Sequence, residues 1–359
     1  MKKFSLPKDG GLIEAGLPKG ILHSFERIPA NIFEDEEIAC ADLADEIINA
    51  INGSFGVFRL GLTTGTSPVY LYRELVRRHK AGDVSFKNVE IFSIDEYYPA
   101  PAPSQSRNKR LIEELINHID VKPENVHIPR HTEVRDTVTE ANADFDRLAK
   151  GLDLLVLGVG EKGQVGFNEA GSTEKSRTRT VLLSYNSRKR QAKNFGGDVD
   201  ATPRTAITMG ISTMLSAKKI VLIAWGEDKA GIVKKVVEDK VNPECPASYL
   251  QRHENISFYV DENSASLLTR NVAPWLVGPC EWTPKFVRKA VVWLSETVHK
   301  PILKLTQGDY LSNGLGELLE KIDSYDQINI KVFNDLQHTI SGWPGGKPDA
   351  DDSTRPVPS

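Results

Sequence analysis

The sequence predicts an α/β protein with a Rossmann-like three-layer sandwich, in which helices cover both faces of a mostly parallel sheet. Short runs of apolar and β-branched residues alternate with segments whose apolar residues recur at i, i+3 and i+4. The short runs are almost continuously apolar rather than alternating. Strands that are buried on both faces have this composition, and parallel strands need crossovers that are usually helical.

Five strands are predicted before residue 270, with helical segments between them. The strands are Phe55–Leu62, Val89–Ile94, Leu152–Gly158, Lys219–Trp225 and Ile256–Val260, and the helical segments include Pro68–Lys80, Thr137–Lys150 and Lys229–Asp239. In sheets of this kind, ligands bind outside the carboxyl ends of the strands. Residues that directly follow a strand are therefore the candidates for a functional site.

The chain is predicted to have three parts, residues 1–270, 271–344 and 345–359. The second part is expected to be a small C-terminal α/β extension that alternates strand and helix over Trp275–Gly278, Pro284–Glu296, Pro301–Leu305, Gly314–Ile322 and Ile328–Phe333. The third part is rich in Pro, Gly and Asp, which predicts a disordered linker or tail.

Composition argues against several classes of function. Lys and Arg total 45 against 49 Asp and Glu, so no basic field favours nucleic acid. No apolar stretch is long enough to cross a bilayer, and no apolar segment follows the N-terminal lysines as in a signal peptide. Cys40, Cys245 and Cys280 fit reduced thiols better than disulfides or a zinc site. We therefore expect a cytoplasmic protein that binds neither nucleic acid nor membrane.

Two strand ends are suited to an anion. The turn formed by Thr64, Gly65, Thr66 and Ser67 lies between a predicted strand and a predicted helix, where backbone N–H groups, hydroxyls and the helix dipole favour negative charge. Lys229 lies in a predicted first helical turn, where a cation opposes the dipole unless an anion compensates it. An ordinary strand-to-helix turn and a solvent-exposed lysine are the alternatives.

Two other strand ends carry groups for acid–base chemistry. Asp95 and Glu96 are adjacent carboxylates at the end of a predicted strand. This pattern fits either a general base or a solvated acidic turn. After the strand Leu152–Gly158, four glycines occur within nine residues, and Asn168 and Glu169 follow them. Such a loop favours a backbone that closely approaches a ligand over a purely structural turn.

The segments at these strand ends resemble the glucosamine-6-phosphate deaminase family. The resemblance runs over about Ile38–Thr269 and rests on LGLTTGTSP, FSIDEYY, LGVGEKGQVGFNEAGS, TPRTAITMGISTML, WGEDKA and PASYLQRH. The related 6-phosphogluconolactonases share the fold but lack the Phe-Asn-Glu element. The resemblance implies that glucosamine 6-phosphate is opened, that a proton moves between C2 and C1, and that ammonia and fructose 6-phosphate form without a cofactor.

The resemblance also implies roles for single residues. Asp95 would remove the C2 proton, and Glu169 would belong to the ring-opening relay. The phosphate would be held by Thr64, Gly65, Thr66, Ser67, Lys193 and Lys229, where Lys193 stands at a position that the family fills with arginine. The family's Gly-x-Asp-Gly-His reads Lys162 and Gln164 at the matching positions, so a residue that cannot titrate replaces the acid/base histidine.

This replacement leaves two interpretations open. One is a working enzyme with an altered relay, either a deaminase or a sugar-phosphate isomerase or lactonase of other specificity. The other is a catalytically quiet domain that binds or senses a sugar phosphate. The small-molecule sugar phosphate is the expected partner in both cases.

The extension carries a second resemblance. The segments WLVGPCEWTPK and FNDLQHTISGWPGGKPDADD are similar to the middle of longer bacterial proteins that continue into a zinc-dependent N-acetyl-sugar deacetylase-like half. The His-Pro-Asp-Asp signature of that half does not occur in this sequence, so no metal site is predicted. A fused or partner deacetylase domain and a homo-oligomer are kept as hypotheses about partners.

Overall fold

The computed structural model describes residues 25–129 and 137–341, and the predicted tail at 345–359 lies outside them. The described chain divides into two compact units, Phe25–Asn271 and the residues from Val272 onward. The three-part division expected from the sequence stays a prediction, because its outer limits include residues beyond the described ones. None of the helices in the described ranges is long and apolar enough to span a bilayer.

The first unit alternates strands and helices. Its strands are β1 (Ala30–Phe33), β2 (Phe58–Leu62), β3 (Val89–Ser93), β4 (Asp95–Tyr98), β5 (Val126–His127), β6 (Leu154–Gly158), β7 (Arg179–Leu182), β8 (Thr205–Thr208), β9 (Ile220–Ala224) and β10 (Ile256–Asp261). Its helices are α1 (Glu36–Asn52), α2 (Val69–Lys80), α3 (Lys109–Glu114), α4 (Val138–Leu148), α5 (Tyr185–Gln191), α6 (Ile211–Leu215) and α7 (Ala230–Glu238), and α8 (Thr269–Val272) ends it.

Seven strands form one parallel sheet in the order β1-β10-β9-β6-β2-β3-β5. Successive residues of a strand point to opposite faces, so Leu154 and Val156 of β6 join the core under α1 and α2. Leu155 and Leu157 join the core under α4, α6 and α7. The predicted three-layer α/β fold with a mostly parallel sheet is therefore confirmed.

A second sheet was not predicted. The strands β4, β8 and β7 form a small antiparallel sheet in that order. β4 begins at Asp95, two residues after β3 ends at Ser93, so the chain passes directly from one sheet to the other. The apolar run that predicted β3 stops at Ile94, and β4 was missed because it begins with the carboxylates Asp95 and Glu96, which are typical of a turn.

The predicted strands and helices of the first unit are present, with shifts at their ends. Thr137, predicted as the first residue of a helix, is the N-cap of α4. Its side chain accepts a hydrogen bond from the N–H of Glu140, and the Glu140 carboxylate accepts one from the N–H of Thr137. This reciprocal capping box satisfies two N–H groups that the helix itself leaves unpaired, which fixes where the helix begins.

The second unit is helical, which corrects the prediction of an α/β extension. Its helices are α9 (Pro284–Val298), α10 (Gln307–Ser312), α11 (Gly316–Lys321) and α12 (Tyr325–Ser341). The segments predicted as strands lie in two 3-10 turns, Pro274–Leu276 and Ile302–Lys304, and inside α12. Ile328 and Val332 lie one helical turn apart and both pack into the core of this unit. Short apolar runs fit a buried helix as well as a strand, and here the helical spacing prevails.

The connection into α6 depends on the absence of a side chain at Gly210. A Cβ there would lie 2.1 Å from the carbonyl oxygen of Ser176 and 2.2 Å from the carbonyl carbon of Arg177. Because these are backbone atoms, we expect Gly210→Ala to lower the free energy of unfolding by about 3 kcal/mol or more. Urea unfolding followed by circular dichroism measures this. The matched control is Gly56→Ala, whose Cβ meets nothing within 4 Å, and equal midpoints for the two variants would contradict the prediction.

Candidate functional site

Four neighbouring strands of the parallel sheet open into one cleft of about 170 Å³. Residues that follow β2, β3, β6 and β9 line it, together with α5 and the segment before α3. Six of the residues predicted for the site face this cleft, namely Thr64, Gly65, Ser67, Asp95, Gln164 and Lys229. The carboxyl ends of the strands thus bring together side chains that are far apart in sequence.

Other predicted residues lie outside the lining of the cleft. Thr66 and Lys193 are exposed, and so is Lys162. Glu169 is half-buried and does not line the cleft either. It contacts a cleft residue, Ser187, whose Oγ donates a hydrogen bond to Glu169 Oε1.

Asp95 is fully buried, and its two carboxylate oxygens differ in their hydrogen bonding. Oδ1 accepts hydrogen bonds from Thr64 Oγ1 at 2.7 Å and from Arg107 Nε at 3.2 Å. Oδ2 is buried and has no hydrogen-bond partner in the described structure. One oxygen is therefore held in place, and the other keeps its lone pairs for a group that enters the cleft.

The neighbouring carboxylate, Glu96, has no such spare oxygen. Oε1 accepts from the backbone N–H groups of Tyr97 at 2.8 Å and Arg107 at 3.0 Å. Oε2 accepts from Ser106 Oγ, and also from Asn108 Nδ2 at 3.0 Å. The structure thus separates the two adjacent acids: Glu96 fastens the segment 106–108, whereas Asp95 faces the cleft.

Arg107 is a cation of the cleft that the sequence did not single out. Besides its bond to Asp95, it donates to Thr64 Oγ1 at 2.9 Å and to Gln191 Oε1 at 3.4 Å. Its guanidinium lies 5.0 Å from the centre of the Phe167 ring. Burial acts to lower the pKa of Arg107, but the charge and the hydrogen bond of Asp95 act in the opposite direction, and the pKa lies above its usual value. The side chain is therefore a permanent cation that contacts the Asp95 carboxylate through Oδ1.

The glycine loop after β6 is packed too tightly for side chains at two positions. A Cβ at Gly160 would lie 2.3 Å from Gln164 Cδ, and one at Gly163 would lie 2.3 Å from Cys245 Sγ. Gln164 Oε1 accepts from the N–H of Lys162 at 3.0 Å, which holds the amide against the loop. Burial raises the pKa of the Cys245 thiol, so this packing partner stays neutral.

Helix α5 supplies a second cation that was not among the predicted site residues. Arg190 lines the cleft and donates to Ser187 Oγ at 3.1 Å. It lies one helical turn before the exposed Lys193, to which the sequence assigned the phosphate. A helical wheel of α5 would have placed Arg190 beside Ser187, because residues three apart share a face.

The described residues hold no group of three or more His, Cys, Asp or Glu side chains placed to bind a metal ion. Among them, the charged groups that line the cleft are one carboxylate, Asp95, and three cations, Arg107, Arg190 and Lys229. This balance favours an anionic ligand.

A parallel α/β sheet with a cationic cleft and a buried carboxylate at its strand ends places the chain in the Rossmann-like α/β class, whose members bind ligands at the carboxyl ends of their strands. The model of the family described as glucosamine-6-phosphate isomerases/6-phosphogluconolactonase matches residues 34–258. The chain belongs to this family, as the sequence segments had indicated.

Individual relatives agree with this assignment. The chain is 44% identical over 352 residues to a glucosamine-6-phosphate deaminase-like protein of Bacteroides thetaiotaomicron, covering 96% of this chain and 53% of that protein. It is 40% identical over 212 residues to glucosamine-6-phosphate deaminase 2 of Bacillus subtilis, covering 58% of this chain and 85% of the relative. A solved monomeric glucosamine-6-phosphate deaminase is 31% identical with a TM-score of 0.62, covering 67% of this chain and 100% of that one. The chain thus spans about half the length of the Bacteroides relative.

Glu96 can be tested as the anchor of the segment 106–108. Glu96→Gln turns an acceptor-only group into one that places an NH₂ against hydrogen-bond donors, so we expect the free energy of unfolding to fall by about 1–3 kcal/mol. Thermal and urea unfolding measure this. The matched control is Glu90→Gln on β3, which loses only a partly exposed contact with Arg59 at 3.5 Å and should cost about 0–1 kcal/mol. Equal losses in the two variants would show that Glu96 is not an anchor.

Proposed function

We propose that the chain is an amino-sugar phosphate deaminase that converts glucosamine 6-phosphate to fructose 6-phosphate and ammonia. The observation that carries this proposal is the unpartnered Oδ2 of Asp95, buried in a cleft whose other charged groups are cations. A carboxylate in this state is suited to remove a proton from carbon. The names of the relatives support the choice of substrate.

Asp95 would act on the opened sugar. There C1 is a carbonyl carbon, which makes the hydrogen on C2 acidic. Asp95 Oδ2 takes this hydrogen as a proton, and the electrons of the C2–H bond form a C1=C2 double bond. The C1=O1 electron pair moves to O1, which takes a proton from water to give an enolamine. Return of the proton to C1 leaves a C=N bond at C2, and water then replaces the nitrogen, which departs as ammonia. Arg107 and Thr64 hold Oδ1 throughout, so Oδ2 keeps its direction.

The phosphate would lie between the 64–67 turn and two cations. The turn precedes α2, whose first N–H groups have no partner within the helix. Gly65 has φ 94°, a conformation that favours glycine and exposes the backbone of the turn. Lys229 Nζ donates one long hydrogen bond, 3.3 Å to the carbonyl of Val159, and keeps further protons for an anion. Arg190 adds a second charge from α5.

The first prediction for this proposal concerns Asp95. Asp95→Asn removes the base, so we expect the exchange of the C2 hydrogen and the release of ammonia to fall by about 10²–10⁴-fold. Proton NMR in D₂O measures the exchange, and calorimetry checks that glucosamine 6-phosphate still binds. The control is Asp45→Asn, which changes an exposed aspartate on α1 that pairs with Arg78. Exchange at the wild-type rate in Asp95→Asn would exclude Asp95 as the base.

The second prediction concerns the phosphate. Lys229→Gln loses a charge-assisted hydrogen bond of about 1.5–3 kcal/mol, so we expect the dissociation constant of glucosamine 6-phosphate to rise by about 10- to 100-fold. Titration calorimetry at constant ionic strength measures this. Lys235→Gln, on the exposed side of α7, should leave the affinity unchanged. If both variants bind as the wild type does, the phosphate lies elsewhere.

A second function is favoured by Gln164 and Lys162, which replace titrating residues of the family pattern. It is binding of a sugar phosphate without turnover, as in a sensor domain. Ammonia release from a panel of amino-sugar phosphates separates the two functions, because a sensor binds the ligand without releasing ammonia. Lactone hydrolysis, measured with the same cleft variants, tests the lactonase activity that the family description also names.

The wider context stays a set of predictions. A cytoplasmic location, a homo-oligomer and a fused or partner deacetylase domain are proposed from the sequence. The finding that the chain covers 53% of the Bacteroides relative is compatible with a further domain. Size-exclusion chromatography with light scattering tests the oligomer.

A further inference from the structure

Glucosamine 6-phosphate exists mainly as a closed ring, and the ring must open before Asp95 can act. Opening removes a proton from the hydroxyl O1 and adds one to the ring oxygen O5. Gln164 stands where the family pattern has a titrating side chain, and an amide cannot carry out this transfer. Ring opening by this protein therefore needs another proton carrier at the cleft.

We propose that Ser187 and Glu169 form this proton relay. Ser187 lines the cleft and is 4% exposed. Its Oγ donates a hydrogen bond to Glu169 Oε1, so the hydroxyl proton already points at a carboxylate. Glu169 does not line the cleft itself, and Ser187 is the contact through which its charge reaches the substrate.

Arg190 completes the arrangement. It donates to Ser187 Oγ at 3.1 Å, which uses one lone pair of the hydroxyl oxygen. A hydroxyl has two lone pairs, so one remains to accept a proton from the sugar. The Arg190 cation also stabilises the negative charge that grows on Oγ as the Ser187 proton moves to Glu169.

The relay balances over one ring opening. The O1–H proton moves to Ser187 Oγ while the Ser187 proton moves to Glu169, and the electrons of the O1–H bond form the C1=O1 double bond. The C1–O5 bond breaks and its electron pair stays on O5. The proton on Glu169 returns through Ser187 to O5, which was bonded to the same carbon. The two side chains end as they began, and no other reactant is needed.

This inference rests on the proposed function, but ring opening can be measured without the deaminase reaction. Opening and reclosing interconverts the α and β anomers, and this does not involve the C2 hydrogen. In Asp95→Asn the C2 chemistry is blocked, so anomer exchange of glucosamine 6-phosphate by two-dimensional exchange NMR reports ring opening alone. We expect Asp95→Asn to accelerate this exchange above its rate in buffer.

Removal of the relay hydroxyl should then abolish the acceleration. We expect Asp95→Asn/Ser187→Ala to lower the enzyme-dependent exchange by about 10²-fold or more, as loss of an acid–base group does. Asp95→Asn/Ser187→Thr, which restores a hydroxyl, should recover most of it. Asp95→Asn/Asn186→Ala, which changes an exposed neighbour on α5, should match the parent. Calorimetry confirms that each variant binds the substrate.

The outcomes separate the two proposals. Exchange that survives Ser187→Ala, or that is absent from Asp95→Asn despite binding, overturns the relay. If the wild-type protein releases no ammonia but the anomer exchange is still lost in Ser187→Ala, the relay is supported and the deaminase proposal is overturned.

Discussion

The rest of the cleft depends on the hydrogen bonds that the buried carboxylate of Glu96 accepts. Four donors surround it, and two of them are the backbone of Arg107 and the side chain of Asn108. A buried carboxylate without these donors would cost several kcal/mol, so the segment 106–108 and β4 are stable only together. Arg107 is held at Asp95 as a result, and its guanidinium in turn links Asp95, Thr64 and Gln191.

The sequence predicted the parts of the site that depend on local patterns. Apolar runs located the strands, and small polar residues after them located the cleft, because a parallel sheet places these strand ends at one edge. The local pattern alone did not distinguish Asp95 from Glu96, and only the family resemblance pointed to Asp95. Both follow the same strand, and only the donors of the segment 106–108 decide which carboxylate is left free.

The residues that the sequence missed have distant partners. Arg107 bonds to residues 12, 43 and 84 positions away in the chain, which no local pattern reveals. The family resemblance pointed to Lys193, whereas the face of α5 that carries Ser187 also carries Arg190. The strands of the extension were mispredicted for another reason: short apolar runs such as Ile328–Phe333 fit a buried helix as well as a strand.

The register between β2 and β3 fixes the distance between the residues that follow these two strands in the cleft. Leu62 pairs with Ser93, so Thr64 and Asp95, each two residues further on, stand side by side at 2.7 Å between their side-chain oxygens. Neighbouring strands lie about 4.8 Å apart. The turn that would bind the phosphate and the carboxylate that would take the proton are therefore separated by a length that the backbone sets. For the proposed sugar-phosphate ligand, this fixed length would select one spacing between the phosphate and the carbon that loses its proton.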